Sequence, residues 1–191
     1  MHRTGLLDLL DRYLVRYPDE LVAVDRIRRF VRAHEDCFER SCVEGHVTGS
    51  AWVVSPDHGS VLLTHHAKLD RWLQLGGHSD GQSDSFEVAL REAREESGMN
   101  RFREPSGELV PLPLDLDVHR IPPRGAEPAH LHLDIRYLLI AEPGQELVPT
   151  EESHELRWVR LDEIERLSTE ESLLRMASKA PERLAAFGAA D

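Results

Sequence analysis

The stretch of sequence that decides the fold is residues 77–99, which read GHSDGQSDSFEVALREAREESGM. Its second half, from residue 86 to residue 97, contains no proline and no interior glycine. Asp84 or Ser85 can accept a backbone N–H at the start of a helix, and Gly98 suits a left-handed stop at its end. The stretch therefore predicts a glycine-bearing loop followed by a helix of about three to four turns.

Three carboxylates fall on one face of this predicted helix. At about 100° per residue, with Glu92 placed at 0°, Glu95 lies at about −60° and Glu96 at about +40°. Arg91 precedes Glu95 by one turn, and we expect these two side chains to pair. Ionised carboxylates this close repel one another, and a divalent cation that prefers oxygen ligands, Mg²⁺ or Mn²⁺, relieves the repulsion. For an arbitrary run of this kind, a solvated acidic face is the alternative.

The spacing of this stretch resembles the Nudix box, G-x5-E-x7-R-E-U-x-E-E-x-G-U, in which U is an aliphatic residue. The matching positions are Gly77, Arg91, Glu92, Ala93, Glu95, Glu96, Gly98 and Met99. The first glutamate of the box is replaced by Ser83, and Asp80 and Asp84 lie close by as stand-ins. This departure affects one supporting contact of the box and leaves its metal-binding R-E-x-x-E-E core complete.

The resemblance implies a fold and an activity. The implied fold is α/β, a Nudix-type α/β/α sandwich with a mixed β-sheet over roughly residues 46–166. An N-terminal two-helix extension, predicted below from helical spacing, lies outside the resemblance. Family members typically hydrolyse a pyrophosphate bond in a nucleoside diphosphate linked to another moiety, with the help of Mg²⁺ or Mn²⁺. The implied metal ligands are Glu92, Glu95 and Glu96, and Arg91 would orient them.

The general base is harder to assign. Family members often take it from the loop before a Trp-containing strand, which here offers Glu151, Glu152 or Glu155. We favour Glu152, because a flexible acidic loop can close to bring a carboxylate within hydrogen-bond reach of the attacking water. Histidines on the neighbouring strands are the alternative base.

Two further functions stay open. The first is a regulatory module that binds a nucleotide metabolite without cleaving it, although a pure binder need not keep every metal ligand. The second is an isomerase resembling the isopentenyl diphosphate isomerases, which ranks last because no suitably placed cysteine lies near the box.

Composition indicates which kinds of binding partner and which cellular location to expect. The chain has 191 residues and a formal net charge of −12, which argues against a nucleic-acid surface and leaves a small nucleotide-type substrate held through a metal. No apolar run reaches membrane-spanning length and the N-terminus lacks a signal-peptide pattern, so we expect no membrane partner and a cytoplasmic location. Cys37 and Cys42 are expected to be buried thiols, since a zinc site with His46 would lack a fourth ligand.

The chain is expected to divide into an N-terminal helical extension (1–42), a Nudix hydrolase domain (43–167) and a C-terminal helix packed on that domain (168–191). Apolar residues at helical spacing predict two N-terminal helices, over residues 5–17 and 20–34. These helices either cap the main domain or form a homodimer contact. The last helix, over residues 170–186, is expected to be interrupted or restarted at Pro181.

The strands predict a polar patch. Residues 47–54 and 61–66 read as a hairpin, and a short strand over 72–75 leads to a tight bend at Gly76 and Gly77 beside the ligand. Two later strands, 112–121 and 131–142, alternate polar and apolar residues, so antiparallel pairing would bring their His and Asp faces together. A solvated sheet face is the alternative. The expected substrate contacts are Gly76, Gly77, His119, His130, His132 and Arg136.

Overall fold

The computed structural model describes residues 2–67, 70–106, 108–125, 127–150, 153–167 and 170–188. The helices are α1 (Thr4–Arg16), α2 (Leu21–Ala33), α3 (Ser85–Ser97), α4 (Ile164–Leu167) and α5 (Glu171–Gly188). Single 3₁₀ turns at Pro18–Glu20 and Leu161–Glu163 precede α2 and α4. The strands are β1 (Gly45–Val54), β2 (Ser60–His66), β3 (Arg71–Leu73), β4 (Leu75–His78), β5 (Phe102–Arg103), β6 (Asp115–Ile121), β7 (His130–Ala141) and β8 (Ser153–Arg160).

The described strands form one mixed sheet around a central parallel pair. β1 runs parallel to β7 over ten paired residues, from Gly45 opposite Leu131 to Val54 opposite Ile140. The outer partners of both strands change along their length: β1 pairs with β4 and then with β2, and β7 pairs with β6 and then with β5. β2 pairs further with β3 and β8. The expected α/β fold with a mixed sheet is confirmed.

Helices cover both faces of the sheet, and each face has its own apolar core. On the first face, α1, α2 and α3 pack against alternate sheet residues such as Val47, Ala51 and Leu133. On the second face, α5 packs against Trp52 and its neighbours. This division follows from the period-two alternation of side chains in a strand. The N-terminal helices share the first core, with Tyr13, Val24, Ile27 and Val31 fully buried in it, so they cap the sheet.

The helix of the deciding stretch begins and ends as its sequence predicts. The Asp84 carboxylate accepts the N–H groups of Phe86 and Glu87 at 3.0 and 3.3 Å, which satisfies two otherwise unpaired donors of the first turn. Gly98 ends the helix with a φ of 74°, a left-handed conformation that glycine adopts without strain. Asp84 therefore caps α3.

Two sequence predictions are wrong. Gly76 and Gly77 do not form a tight bend, because they lie within β4 and pair with Ser50 and Gly49 of β1. Pro181 does not interrupt the last helix, which continues through it to residue 188. Met176, Ala180 and Leu184 on both sides of this proline are buried in the second core, and this packing holds the helix together where a backbone hydrogen bond is missing.

No helix within the described ranges combines the length and the apolar character needed to cross a bilayer.

The cap of α3 can be tested by substitution. Asp84→Ala removes the oxygen that accepts both N–H groups, so the free energy of unfolding should fall by about 1 kcal/mol. Asp84→Asn keeps a side-chain acceptor and should lose a few tenths of that amount. Urea denaturation of the two variants and the wild type measures the difference. Equal losses in both variants would contradict a capping role for this side chain.

Candidate functional site

Helix α3 places its three glutamates beside strand β4. Glu96 is 8% exposed, and its Oε2 accepts the N–H of Gly76 at 2.9 Å. Glu92 lies one turn earlier and is half-buried, whereas Glu95 is exposed to solvent. The helix therefore presents one buried, one half-buried and one exposed carboxylate next to the strand that opens the box.

Arg91 makes a different pair from the expected one. Its Nη2 donates to Glu92 Oε1 at 2.7 Å and to the backbone carbonyl of His78 at 2.6 Å. The expected pairing with Glu95 is wrong, because the side chain turns toward β4 and bridges helix and strand. Arg91 thereby fixes one carboxylate oxygen of Glu92, in agreement with an orienting role.

The glutamate carboxylates, packed against the glycines of β4, have the chemistry of ligands for a divalent cation. Burial raises the pKa of Glu92 above its ordinary value, Arg91 opposes the rise, and the negative charges of Glu95 and Asp80 add to it. A Cβ on Gly77 would lie 2.5 Å from the Cδ of Glu92, so only glycine admits the carboxylate here. Crowded, partly buried carboxylates of this kind are the oxygen donors that Mg²⁺ and Mn²⁺ prefer.

The position that departs from the box lies at a cavity. Ser83 is half-buried and lines a cavity of about 550 Å³ with Asp84, Phe86 and residues 108–111. This cavity lies at the N-terminal end of α3 and includes none of the three box glutamates. Asp80, the other suggested stand-in, pairs with Arg40 through two hydrogen bonds of 2.5 and 2.7 Å.

The polar faces of β6 and β7 coincide, as the sequence predicts. The two strands pair antiparallel, with His119 opposite His132 and Asp117 opposite Asp134. The patch extends beyond the expected residues, because β1 adds Thr48 and Ser50, whose hydroxyls donate to Asp134 Oδ1 at 2.9 and 2.7 Å.

Arg136 has a structural role in this patch. It is 2% exposed, and its three guanidinium nitrogens donate to Asp134 at 2.7 Å, Asp115 at 3.4 Å and Asp117 at 3.3 Å. Arg175 of α5 reaches the same carboxylates, with 2.7 Å to Asp115 and 3.0 Å to Asp117. The expectation that Arg136 contacts substrate does not fit this placement, since its donors are committed to buried aspartates.

The histidines expected to bind substrate belong to a larger cluster. His119, His130 and His132 are joined by His46 of β1 and His78 of β4, whose rings lie 4.9 Å apart and each about 5 Å from the ring of His132. Burial, together with the neighbouring histidines, lowers the pKa of His132 to about 2. Burial, together with Arg40 and His46, lowers the pKa of His78 to about 4. Burial also lowers the pKa of His46. These rings are neutral at pH 7.

Sequence reasoning missed His46 and His78 as members of this cluster. The alternation of His46, Thr48 and Ser50 along β1 is a signal of a polar face. The β1–β7 and β1–β4 pairings decide which strands contribute to this polar face. Because these pairings connect residues far apart in the sequence, local patterns do not predict them.

The loop that offered a base is partly outside the described residues, and Glu151 and Glu152 lie there. Glu155 belongs to β8 and receives two hydrogen bonds of 2.9 Å from Arg157. Cys37 and Cys42 are free buried thiols, as expected, and burial raises the pKa of each to about 11.

Known structures share this architecture. A hydrolase of the NUDIX family from Clostridium perfringens superposes with a TM-score of 0.56 at 24% identity, over 73% of this chain and 96% of that one. A C. elegans Ap4A hydrolase in a binary complex superposes with a TM-score of 0.53 at 14% identity, over 73% of this chain and 98% of that one. At these identities the likeness shows the fold.

Sequence comparison identifies the family. The human m7GpppN-mRNA hydrolase NUDT17 is 30% identical over 105 residues, which are 51% of this chain and 31% of that protein. The match therefore spans about a third of the length of this curated relative. The family model of the NUDIX domain matches residues 45–179, well over half of the chain. Together with the arginine and three glutamates that α3 presents to β4, this match shows that the chain belongs to the Nudix hydrolase family.

Proposed function

We propose that this protein hydrolyses a pyrophosphate bond in a nucleoside diphosphate linked to another moiety, with Mg²⁺ or Mn²⁺ held by Glu92, Glu95 and Glu96. The observation that supports the proposal most strongly is the placement of these carboxylates. One is anchored to the Gly76 N–H and another is held by Arg91. A binding module would have no need for such a fully formed set.

The cation would neutralise the bridging phosphates and lower the pKa of a bound water. The chain itself contributes the geometry. Gly77 leaves room for the Glu92 carboxylate against the strand, and the Gly76 N–H fixes the orientation of Glu96. Arg91 opposes the rise that burial causes in the pKa of Glu92. In the reaction, a water oxygen bonds to phosphorus, the bridging P–O bond breaks, and the leaving phosphate oxygen takes a proton.

The substrate is a small phosphorylated nucleotide derivative. The net charge of −12 disfavours the body of a nucleic acid, because polyphosphate backbones are bound by clusters of lysine and arginine. Two of the proteins named above are an Ap4A hydrolase and an mRNA-cap hydrolase, and both of these substrates contain a polyphosphate bridge between nucleosides. A panel should therefore include dinucleoside polyphosphates, cap analogues, ADP-ribose, nucleotide sugars, NADH and nucleoside triphosphates, with Mg²⁺ or Mn²⁺ and identification of the products.

Replacing Glu96 tests the proposed metal site. Glu96→Gln keeps the size of the side chain and an oxygen for the Gly76 N–H, but it removes a negative charge, so turnover of the best substrate should fall at least about 100-fold. Glu87→Gln is a matched control, because Glu87 is an exposed glutamate on the opposite side of α3. It should leave turnover unchanged. Full activity of the Glu96 variant, or of the wild type in excess chelator, would contradict the proposed function.

The base assignment has its own test. If Glu152 takes the proton from the attacking water, Glu152→Gln should lower kcat by about 100-fold or more while KM changes little. Glu151→Gln supplies the neighbouring control. Burial and the neighbouring histidines lower the pKa of His132 to about 2, so a fall in rate near pH 6.5 is not expected from this residue. Unchanged turnover in the Glu152 variant, beside an inactive His132 or His119 variant, would transfer the role to a histidine.

A further inference from the structure

Four neighbouring strands bring five histidines together on the second face of the sheet. The β1–β7 pairing places His46 opposite His132, and the β6–β7 pairing places His119 opposite His132 on its other side. His78 lies on β4, and His130 precedes His132 by two residues on the same face of β7. The ring of His46 lies 4.9 to 5.0 Å from three of the others: His78, His130 and His132.

His46 is buried without a partner for either ring nitrogen. It is 4% exposed, and neither Nδ1 nor Nε2 makes a hydrogen bond to the described residues. Burial and His130 lower the pKa of the ring overall, although the nearby Cys42 backbone raises it. No contact between Cys42 and the ring has hydrogen-bond geometry. A neutral imidazole has one donor and one acceptor, and burying both unpaired is unfavourable. Among the described residues, both nitrogens of this buried ring are therefore open to a ligand.

In two other histidines of the cluster, His119 and His130, Nδ1 is hydrogen-bonded to an oxygen of the protein. His130 Nδ1 lies 3.0 Å from the carbonyl oxygen of Pro128, so this nitrogen carries the proton and Nε2 carries a lone pair on the side of His132. His119 Nδ1 lies 2.9 Å from the carboxylate of Asp117, which fixes its proton in the same way. A ring N–H donated to a carbonyl or a carboxylate is the usual outer contact of a metal-binding histidine.

The distances between the nitrogens suit a metal. His130 Nε2 and His132 Nε2 are 3.3 Å apart. Two nitrogens bound tetrahedrally at about 2.0–2.1 Å from zinc are roughly 3.3–3.4 Å apart. His46, His130 and His132 each offer a nitrogen, and the three atoms lie within 4.8 Å of one another. A hydrogen bond between His130 and His132 would explain their short distance without a metal, but it leaves both nitrogens of His46 unpaired.

We propose that His46, His130 and His132 bind a zinc-class transition-metal ion, with a fourth position open to water or a phosphate oxygen. This site goes beyond the hydrolytic function proposed above and uses different donors. Imidazole favours Zn²⁺, Co²⁺, Ni²⁺ or Cu²⁺, whereas the carboxylates of α3 favour Mg²⁺ or Mn²⁺. His78 and His119 flank His132 at ring distances of 5.0 and 5.5 Å.

Metal retention and cobalt absorption test the site in the full-length protein. After chelator treatment, the protein is loaded with Zn²⁺ or Co²⁺ and freed of excess ion by gel filtration. We expect about one Zn²⁺ per chain, and a visible Co²⁺ spectrum of the intense type that four-coordinate nitrogen sites give. His130→Gln and His132→Gln should each weaken Zn²⁺ binding more than about 100-fold, beyond the loss typical of an outer contact.

Three controls separate this site from others. His154→Gln changes an exposed histidine outside the cluster and should retain the metal. Glu96→Gln alters the carboxylate site and should also retain zinc. If the hydrolytic proposal fails, this variant keeps its activity; if the zinc proposal fails, the wild type does not retain zinc at the histidines. His34→Gln tests a second grouping, His34 with Asp36 and Cys42, whose donor atoms also lie within 4.8 Å of one another. His130 is partly exposed, so its variant should fold even if the His132 variant does not.

Several results would overturn the proposal. These are a wild-type protein that retains no Zn²⁺, a cobalt spectrum of the weak octahedral type, and zinc binding that is unchanged in a folded His130→Gln variant. Loss of zinc through Glu96→Gln or His34→Gln, with retention in His130→Gln, would place the ion elsewhere.

Discussion

The parallel pairing of β1 with β7 is the constraint on which the rest of the structure depends. Its register joins Gly45 to Leu131 and continues for ten residues, so it decides which side chains of the two strands share a face. A shift of one residue would exchange the two faces of either strand. The apolar residues that contact α3 and the polar residues that face α5 are therefore set by the same backbone hydrogen bonds.

The polar face is held by charge as well as by register. Arg136 is buried with three aspartates around it, and Arg175 and Lys179 from α5 reach Asp115 from the other side. A buried pair adds little net stability, but removal of one partner leaves an uncompensated charge and typically costs about 3–5 kcal/mol. The network thus links the last helix to the central strands and keeps the histidine end of the same face in position.

The sequence predicts local structure well where the signals are local. The cap at Asp84, the stop at Gly98 and the glutamate face between them all follow from short-range spacing. The shared polar face of β6 and β7 was also predictable, because these strands are neighbours in the chain. The family resemblance carried by the box is confirmed, and so is the mixed α/β fold.

The remaining features depend on contacts between distant residues. The sequence predicts a bend at Gly76 and Gly77, but both residues pair with β1 in the sheet. Because glycine has no side chain, Ser50 packs closely against Gly76 and Glu92 packs closely against Gly77. Arg91 pairs with Glu92 because the same guanidinium nitrogen also donates a hydrogen bond to the backbone carbonyl of His78 in β4. His46 joins the histidines of β7 only through the parallel pairing.

The proposed function requires that the glutamate face of α3 holds the divalent cation. Binding of Mn²⁺, followed by the electron paramagnetic resonance signal of the free ion, tests it most directly on the wild type and Glu95→Gln. Glu95 is exposed, so its substitution should leave the fold intact. We predict that the variant binds Mn²⁺ at least about tenfold more weakly, because it loses one anionic oxygen ligand. Equal affinity in both proteins would contradict the account.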